Sequence, residues 1–366
     1  MAAPRAVSRI RPRWLSAIAA VFLAVAVVAP TQAVTTEAPQ VGLTTRQFDM
    51  PAQPPSPGSA VTMAQAAVVK IDTNADYQGV VGNGAGILLD PSGVVLTNFH
   101  VVQGADRISA TNIATGGSFP GQLIGYDRRS DIAVVQLQGA SGLPTAQIGD
   151  SGQVAIGEQI VTIGNAGGGP GLSTSPGSVA AVGRSIIADD TLTGSSEELN
   201  NLIEVAADVR AGDSGGALVN SRGQVIGVVV AASVNYRVGT PGGKGFAIPI
   251  NDAMAIANQI RARAPSDAVH IGAPAMLGVG VSSAEGAGGT TGVLIRDVLP
   301  GTPAERAGLA SGDVIVTIDG SPIDSANALT NVLDRHYPGD VVDVTWISRS
   351  GQQTTAKVPL MPGPDG

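Results

Sequence analysis

The chain has 366 residues, of which 43% are hydrophobic, 14% charged and 3% aromatic, with 49 glycines and no cysteine. That length suits two domains of ordinary size, and the glycine-rich, aromatic-poor composition favours many short strands joined by tight turns over a helical bundle. A formal charge of −8 argues against nucleic acid or anionic lipid as a partner, and the lack of cysteine excludes disulfides and thiol chemistry.

In chain order, Arg5, Arg9, Arg11 and Arg13 precede an apolar run from Trp14 to Ala29, and Thr31-Gln32-Ala33 offers small residues for a cleavage site. The run is shorter than the roughly 20 residues a membrane-spanning helix needs, so residues 1–33 read as a cleaved signal peptide, with a retained N-terminal anchor as the alternative. Its removal takes away four arginines and no acidic group, moving the formal charge from −8 to −12. Residues 34–58, with Pro51, Pro54, Pro55 and Pro57 close together, read as a linker.

From about Ala60 to Ile260, short β-branched runs alternate with Gly, Asp, Asn and Ser punctuation. Val68–Ile71, Gly86–Leu89, Val94–Leu96, Ile132–Leu137, Ile160–Ile163, Leu218–Val219 and Val225–Val230 are examples of the expected strands. Without helical patterns between them, they argue for an antiparallel sandwich or barrel assembly. Ala253, Ile256, Ala257 and Ile260 share a helical spacing, which predicts a helix over Asn251–Arg263. A second linker follows near Ala264–Ala273. Met276–Leu360 then reads as a separate small domain: strands at Gly292–Val298, Asp313–Ile318, Val341–Ile347 and Gln352–Val358, a glycine-rich loop at 284–290, and helices near Pro303–Gly308 and Ser325–Arg335.

Gly212-Asp213-Ser214-Gly215-Gly216 is the segment that promises chemistry. A serine hydrolase needs a nucleophile, a base, a group that orients the base, and donors for the oxyanion. Ser214 supplies a hydroxyl, and flanking glycines allow a sharp turn whose N–H groups, from the Gly212, Asp213 and Ser214 run, form an oxyanion hole. The same letters also fit the nucleophile elbow of α/β-hydrolases, where the base follows the serine. The chain has three histidines, His100, His270 and His336. An α/β-hydrolase would need His270, in a linker, or His336, in the second domain. His100, directly after Val94–Thr97, and Asp131, directly before Ile132–Leu137, instead give the order His, Asp, Ser, which is that of a chymotrypsin-like enzyme.

Thr97-Asn98-Phe99-His100-Val101-Val102, Asp131-Ile132-Ala133-Val134, Gly164-Asn165, Gly212–Gly216 with Ala217-Leu218-Val219-Asn220, and Gly245-Phe246-Ala247-Ile248-Pro249 resemble the HtrA/Deg family of trypsin-fold serine proteases, in particular its secreted actinobacterial members. In the small domain, Met276-Leu277-Gly278-Val279, Ala307-Gly308-Leu309 and Gly312-Asp313-Val314-Ile315 look like a PDZ domain. The resemblance implies an all-β chymotrypsin/trypsin-like double β-barrel at 59–263, a linker at 264–274 and a small α+β PDZ domain at 275–362. It further implies a secreted or cell-envelope endopeptidase that hydrolyses unfolded or damaged proteins through His100, Asp131 and Ser214, without metal or cofactor. Leu277, Gly278 and Val279 would present backbone N–H groups to a peptide C-terminus. Family members are often homo-oligomers, commonly trimers. The alternative function is a PDZ-directed peptide-binding or chaperone-like protein with a latent or regulated protease domain.

Three residues depart from the family's pattern. Asp213 stands where members commonly carry Asn, and a buried carboxylate there needs backbone N–H groups or an arginine. Asp208, six residues before Ser214, occupies the offset at which trypsin-like enzymes select basic residues, while Ala206 stands where the family often has Asp. The expectation is a pocket that takes small apolar residues, with Asp208 drawn into a hydrogen-bond network. Gly164–Gly169 lacks the Gly-Lys-Ser/Thr of a phosphate loop and reads as a mobile loop near the cleft.

Overall fold

A computed structural model of the chain describes residues 57–75, 80–189, 196–230, 244–282 and 291–364. The expected leader, the linker up to residue 56 and the glycine-rich loop at 284–290 lie outside the described residues. Helix α1 (Pro57–Ala66) opens the described part, so the last two residues of the expected linker already belong to a helix.

Six antiparallel strands form the first barrel: β1 (Val68–Ala75), β2 (Val80–Asp90), β3 (Val94–Thr97), β4 (Arg107–Asn112), β5 (Ser118–Asp127) and β6 (Ile132–Leu137). Their order is β5-β4-β1-β2-β3-β6, and β6 pairs back onto β5 to close the ring. A one-turn helix, α2 (Phe99–Val102), follows β3. The second closed barrel runs β10-β11-β12-β9-β8-β7, from β7 (Gln159–Gly164), β8 (Ser173–Asp189), β9 (Ser196–Ala206), β10 (Ala217–Asn220), β11 (Val225–Val230) and β12 (Lys244–Pro249). No parallel sheet flanked by helices is present among the described residues, which removes the α/β-hydrolase alternative.

Why several strands are apolar without alternation follows from the packing. On β3, Val95 points into the first barrel while Val94 and Leu96 join a cluster shared with the second barrel. On β6, Ala133 and Val135 fill the barrel, and Ile132 and Val134 face the shared cluster. β10 and β11 do the same from the other side: Leu218, Ile226 and Val229 fill the second barrel, and Ala217, Val219, Val225 and Val228 face outward to the first. Helix α3 (Ile250–Arg261) closes this shared core with Ile250, Ala253, Ala257 and Ile260, each 0% exposed. Each such isoleucine stabilises the fold by about 1.5–3 kcal/mol relative to an exposed one. The two barrels are thus one packed body, and the cleft between them inherits that rigidity.

After α3 comes β13 (His270–Ile271), which pairs with β5 at Tyr126 and Gly125. The expected linker is therefore partly a strand of the first barrel. The small domain has its own core, around Leu277, Ile295, Ile315, Ile318, Val342, Val344, Trp346 and Val358. Its elements are β14 (Ala275–Met276), β15 (Val279–Ser282), β16 (Val293–Val298), α4 (Pro303–Ala307), β17 (Val314–Ile318), β18 (Ser321–Pro322), α5 (Ala326–Leu333), β19 (Val341–Ile347), β20 (Gln353–Pro359) and β21 (Met361–Pro362). Local signals set its helices: the Ser325 hydroxyl caps α5 by accepting the Ala328 N–H at 3.1 Å, and Gly308 ends α4 in the left-handed region at φ +85°.

Candidate active site

His100 sits in α2, where Phe99, Val101 and Val102 are buried in the first barrel. Those three anchors leave His100 as the one residue of the turn facing outward, with its side chain 43% exposed. Its Nδ1 lies 2.8 Å from Oδ2 of Asp131, and its backbone N–H donates to Oδ1 of the same carboxylate at 3.0 Å. One carboxylate thus fixes both the ring and the backbone of the histidine, and directs the other ring nitrogen away from itself.

Asp131 is buried and its backbone is left-handed, at φ +52°. That conformation costs an ordinary residue on the order of 1 kcal/mol and has to be held by its surroundings. Its N–H donates to Arg128 O at 3.1 Å, and the Asn98 amide donates to its carbonyl at 2.9 Å. Asp127, the other carboxylate of this loop, is turned inward on the loop: its oxygens accept the Ser130 N–H and hydroxyl, both at 3.0 Å. Burial pushes the Asp127 carboxyl up, against the lowering effect of the Ser130 bonds.

Ser214, 5% exposed, belongs to the second barrel's loop before β10. That loop is stitched to the first barrel through its backbone. The Ala85 N–H donates to Ser214 O at 2.8 Å, and the Gly215 N–H donates to Asn98 Oδ1 at 2.7 Å while also reaching Val229 O at 2.9 Å. Thr97, fully buried, donates its hydroxyl to Ala85 O at 2.7 Å. The histidine and aspartate therefore come from one barrel and the serine from the other, with buried hydrogen bonds crossing between them.

Asp213, 2% exposed, is satisfied without an arginine side chain or a chain terminus. Oδ2 accepts the Arg210 N–H at 3.0 Å, and Oδ1 accepts the Ala166 N–H at 3.0 Å and the Ser173 hydroxyl. The glycine-rich run after β7 is thus the cradle of this carboxylate. Only glycine at 164 permits the approach, because a Cβ there would lie 2.4 Å from Asp213 Oδ1. The Asp213 N–H, one of the three expected oxyanion donors, donates to Arg210 O at 3.0 Å. Gly212 has φ +96°, its carbonyl accepts the Asn165 N–H at 3.1 Å, and among the described residues no acceptor takes its N–H.

Asp208 lies in a hydrogen-bonded pair at the surface. Its side chain is 57% exposed and pairs with Arg210, which holds its carboxyl below the usual range, while its carbonyl accepts the Ser175 hydroxyl at 3.0 Å. His336 lies in the small domain near Asp319 and Asp340, and His270 lies in β13 with its ring nitrogens 2.9 and 3.0 Å from the carbonyls of Asp334 and Ala273. Neither histidine shares a described contact with Ser214.

In the small domain, Gly278 has φ +90°, and a Cβ there would sit 2.2 Å from the Thr302 Cβ, so only glycine fits. The carbonyls of Leu277 and Gly278 accept the N–H groups of Ala304 and Leu299 at 2.9 and 3.0 Å, which turns this loop back-first against α4. Val279 opens β15, the outermost strand of its sheet, so an extended peptide has an edge to join.

The sequence motifs include Asn98 and Gly164 but assign neither a role, and they assign none to Ala166 or Ser173. Asn98 carried a readable signal: a polar residue directly after the buried run Val94–Thr97 must find buried partners. The other three act across gaps in sequence that no local pattern reveals.

Residues 84–228 match the trypsin-like peptidase domain family and residues 275–360 match the PDZ domain family. HhoA of Synechocystis sp. is 36% identical over 267 residues, covering 70% of this chain and 65% of the relative. The serine protease PepD of Mycobacterium tuberculosis is 32% identical over 328 residues, covering 85% of this chain and 68% of the relative. The periplasmic pH-dependent serine endoprotease DegQ of Escherichia coli is 33% identical over 285 residues, covering 76% and 59%. The chain thus spans about three fifths to two thirds of the length of these relatives. A solved structure of the HtrA-type protease AlgW with a tripeptide is 30% identical, with a TM-score of 0.50 over 85% of this chain and 99% of that one. With both domains matched in order and the 32% identical PepD covered over 68% of its length, the chain belongs to the HtrA-type serine proteases, a trypsin-like peptidase domain followed by a PDZ domain.

Proposed function

We propose that this chain is a serine endopeptidase acting outside the cytoplasm, with Ser214 as nucleophile, His100 as general base and Asp131 as the group that orients it. The observation that carries this reading is the double engagement of His100 by Asp131, through Nδ1 at 2.8 Å and through the backbone N–H at 3.0 Å. In this mechanism the Ser214 hydroxyl attacks the scissile carbonyl as His100 Nε2 takes its proton. The N–H groups of Gly212 and Ser214 stabilise the oxyanion, and the imidazolium returns the proton to the departing amine. Water then enters by the same proton relay to release the acyl group.

The domain division proposed from sequence, with a leader at 1–33, a linker at 34–58, a protease domain at 59–263, a linker at 264–274 and a PDZ domain at 275–362, places the Leu277-Gly278-Val279 loop where a substrate's C-terminus docks. Unfolded proteins are the proposed substrates, since an extended chain fits both a barrel cleft and a sheet edge. Relatives named as periplasmic support the extracytoplasmic location. With Asp208 paired to Arg210 at the surface, the specificity pocket takes small apolar residues. A chromogenic peptide series should favour Val or Ala over Arg at the cleaved position, and clear preference for Arg would contradict this.

Ser214→Ala should abolish cleavage of casein, a loss of at least about a thousandfold, and leave binding of hydrophobic-ended peptides intact. Cleavage that persists in that variant refutes the mechanism.

A further inference from the structure

We infer that Asn98 is a positioning residue for the reaction, a buried side chain that sets the His100–Asp131 pair against the Ser214 loop. The inference rests on the triad reading above and adds a residue to it. Asn98 is 0% exposed, and both ends of its amide are used, one within the first barrel and one across the cleft. Nδ2 donates to the carbonyl of Asp131 at 2.9 Å, on the first barrel, and Oδ1 accepts the N–H of Gly215 at 2.7 Å, next to the nucleophile on the second.

Three features make this more than a buried hydrogen bond. Asp131 has φ +52°, so its peptide groups are held in a sparsely populated conformation, and Asn98 grips the carbonyl that follows. Asn98 directly precedes the α2 turn that carries His100, so one amide touches the acid's backbone, adjoins the base's helix and binds the nucleophile's neighbour. The chemistry also requires an amide. Asp131 O takes a donor, and the Gly215 N–H, which also reaches Val229 O, takes its shorter bond from an acceptor here; an uncharged group with one of each, at this length, serves both. Alanine leaves two buried groups with a partner fewer. Aspartate in its ionised form offers no donor to Asp131 O, whereas its protonated form reproduces the amide's donor and acceptor. The titratable groups nearest along this network are His100 and Asp131 on one side and Asp213, two residues before Gly215, on the other.

The test uses the full chain, the fluorophosphonate labelling rate of Ser214, and binding of a hydrophobic-ended peptide as a control for the separately cored PDZ domain. Asn98→Ala should be labelled about a hundredfold more slowly, the scale expected when reacting groups are misplaced by about 1 Å, while peptide binding stays unchanged. Asn98→Asp should show a pH profile the parent lacks: labelling falls on the alkaline side and recovers as pH is lowered toward the range where the introduced carboxyl is protonated. A purely structural role would shift the melting temperature without changing that profile's shape. If Asn98→Ala fails to fold, the Asn98→Asp profile decides alone, because it compares two protonation states of one protein. Parent-like rates and an unchanged profile in both variants overturn the inference. A parent protein that is not labelled at Ser214 overturns the triad reading instead, which keeps the two failures distinct.

Discussion

The catalytic cleft and the seam between protease and PDZ domain are both built from buried polar contacts, but of opposite kinds. Around the nucleophile loop, the groups that join the barrels are uncharged or backbone, the Asn98 amide, the Asn165 amide and the Ala85 N–H, while at the glycine-rich run the Lys70 ammonium donates to Gly169 O. Even the one buried acid of the nucleophile loop, Asp213, is met by the N–H groups of Ala166 and Arg210 and by the Ser173 hydroxyl. At the seam, charge and rings do the joining. Arg128 Nε bonds Asp334 Oδ2 at 2.6 Å, the Tyr126 hydroxyl donates to Asp334 Oδ1 at 2.9 Å, and Phe99, Tyr126, His270 and Tyr337 stack in series with centroids 4.3, 5.1 and 4.5 Å apart. Neutral short-range bonds in a shared core resist salt, while an ion pair is weakened by it to the extent that the pair is exposed. The difference teaches where adjustability belongs in this molecule: geometry is fixed at the reacting atoms and negotiable at the seam. The stack also starts at Phe99, the neighbour of His100, so the adjustable region abuts the fixed one.

The largest expected effect breaks the cleft side. Gly164→Ala puts a Cβ within 2.4 Å of Asp213 Oδ1 and 2.6 Å of its Cα, which must displace the loop that presents the Gly212 and Ser214 N–H groups. Activity against casein should fall about a hundredfold or more, the cost of losing an oxyanion donor, with peptide binding at the PDZ domain unchanged. Retained activity would mean that Asp213 does not set the oxyanion geometry.

At the seam, Asp334→Ala should lower stability by about 2 kcal/mol in a denaturant melt, because it leaves Arg128, only 10% exposed, without its carboxylate. That loss should shrink in 1 M salt, whereas the loss of activity in Gly164→Ala should not. Equal salt sensitivity of the two variants would erase the contrast between the regions.

Tyr126→Phe is the smallest. Burial, and then the Asp334 carboxylate, raise the Tyr126 phenol well above its ordinary value of 10.0. The folded chain then holds its proton at pH values where the unfolded chain releases it, so this group's stabilisation is complete below about pH 10 and is lost as pH rises above it. Tyr126→Phe should cost about 1 kcal/mol at neutral pH and flatten the alkaline decline measured by thermal melting between pH 9 and 11 (a range set by the ordinary tyrosine value). An unchanged alkaline slope would show that the phenol does not titrate with folding.

Part of this organisation was readable from residues alone. The strands found from sequence, such as Ile132–Leu137 and Val225–Val230, are those buried on both faces, because alternate side chains serve a barrel interior and the shared core. β4 was less legible because it alternates buried positions with polar, partly exposed ones from Arg107 onward. His100, Asp131 and Ser214 were legible because each sits at a strand end beside a distinctive local run. The partners of Asp213 were not, since Ala166 and Ser173 lie 47 and 40 residues away and offer a bare N–H and a hydroxyl. Asp208 looked like a specificity residue by offset, yet Arg210, two residues on, draws it to the surface.

The central claim is that Ser214 is activated by a histidine held in the other barrel, and its most direct measurement is fluorophosphonate labelling with the adduct mapped by mass spectrometry in the parent, His100→Ala and His336→Ala proteins. The account predicts a single adduct on Ser214 in the parent and in His336→Ala, and its loss in His100→Ala. An adduct on another serine, or labelling that survives His100→Ala and disappears in His336→Ala, would contradict it.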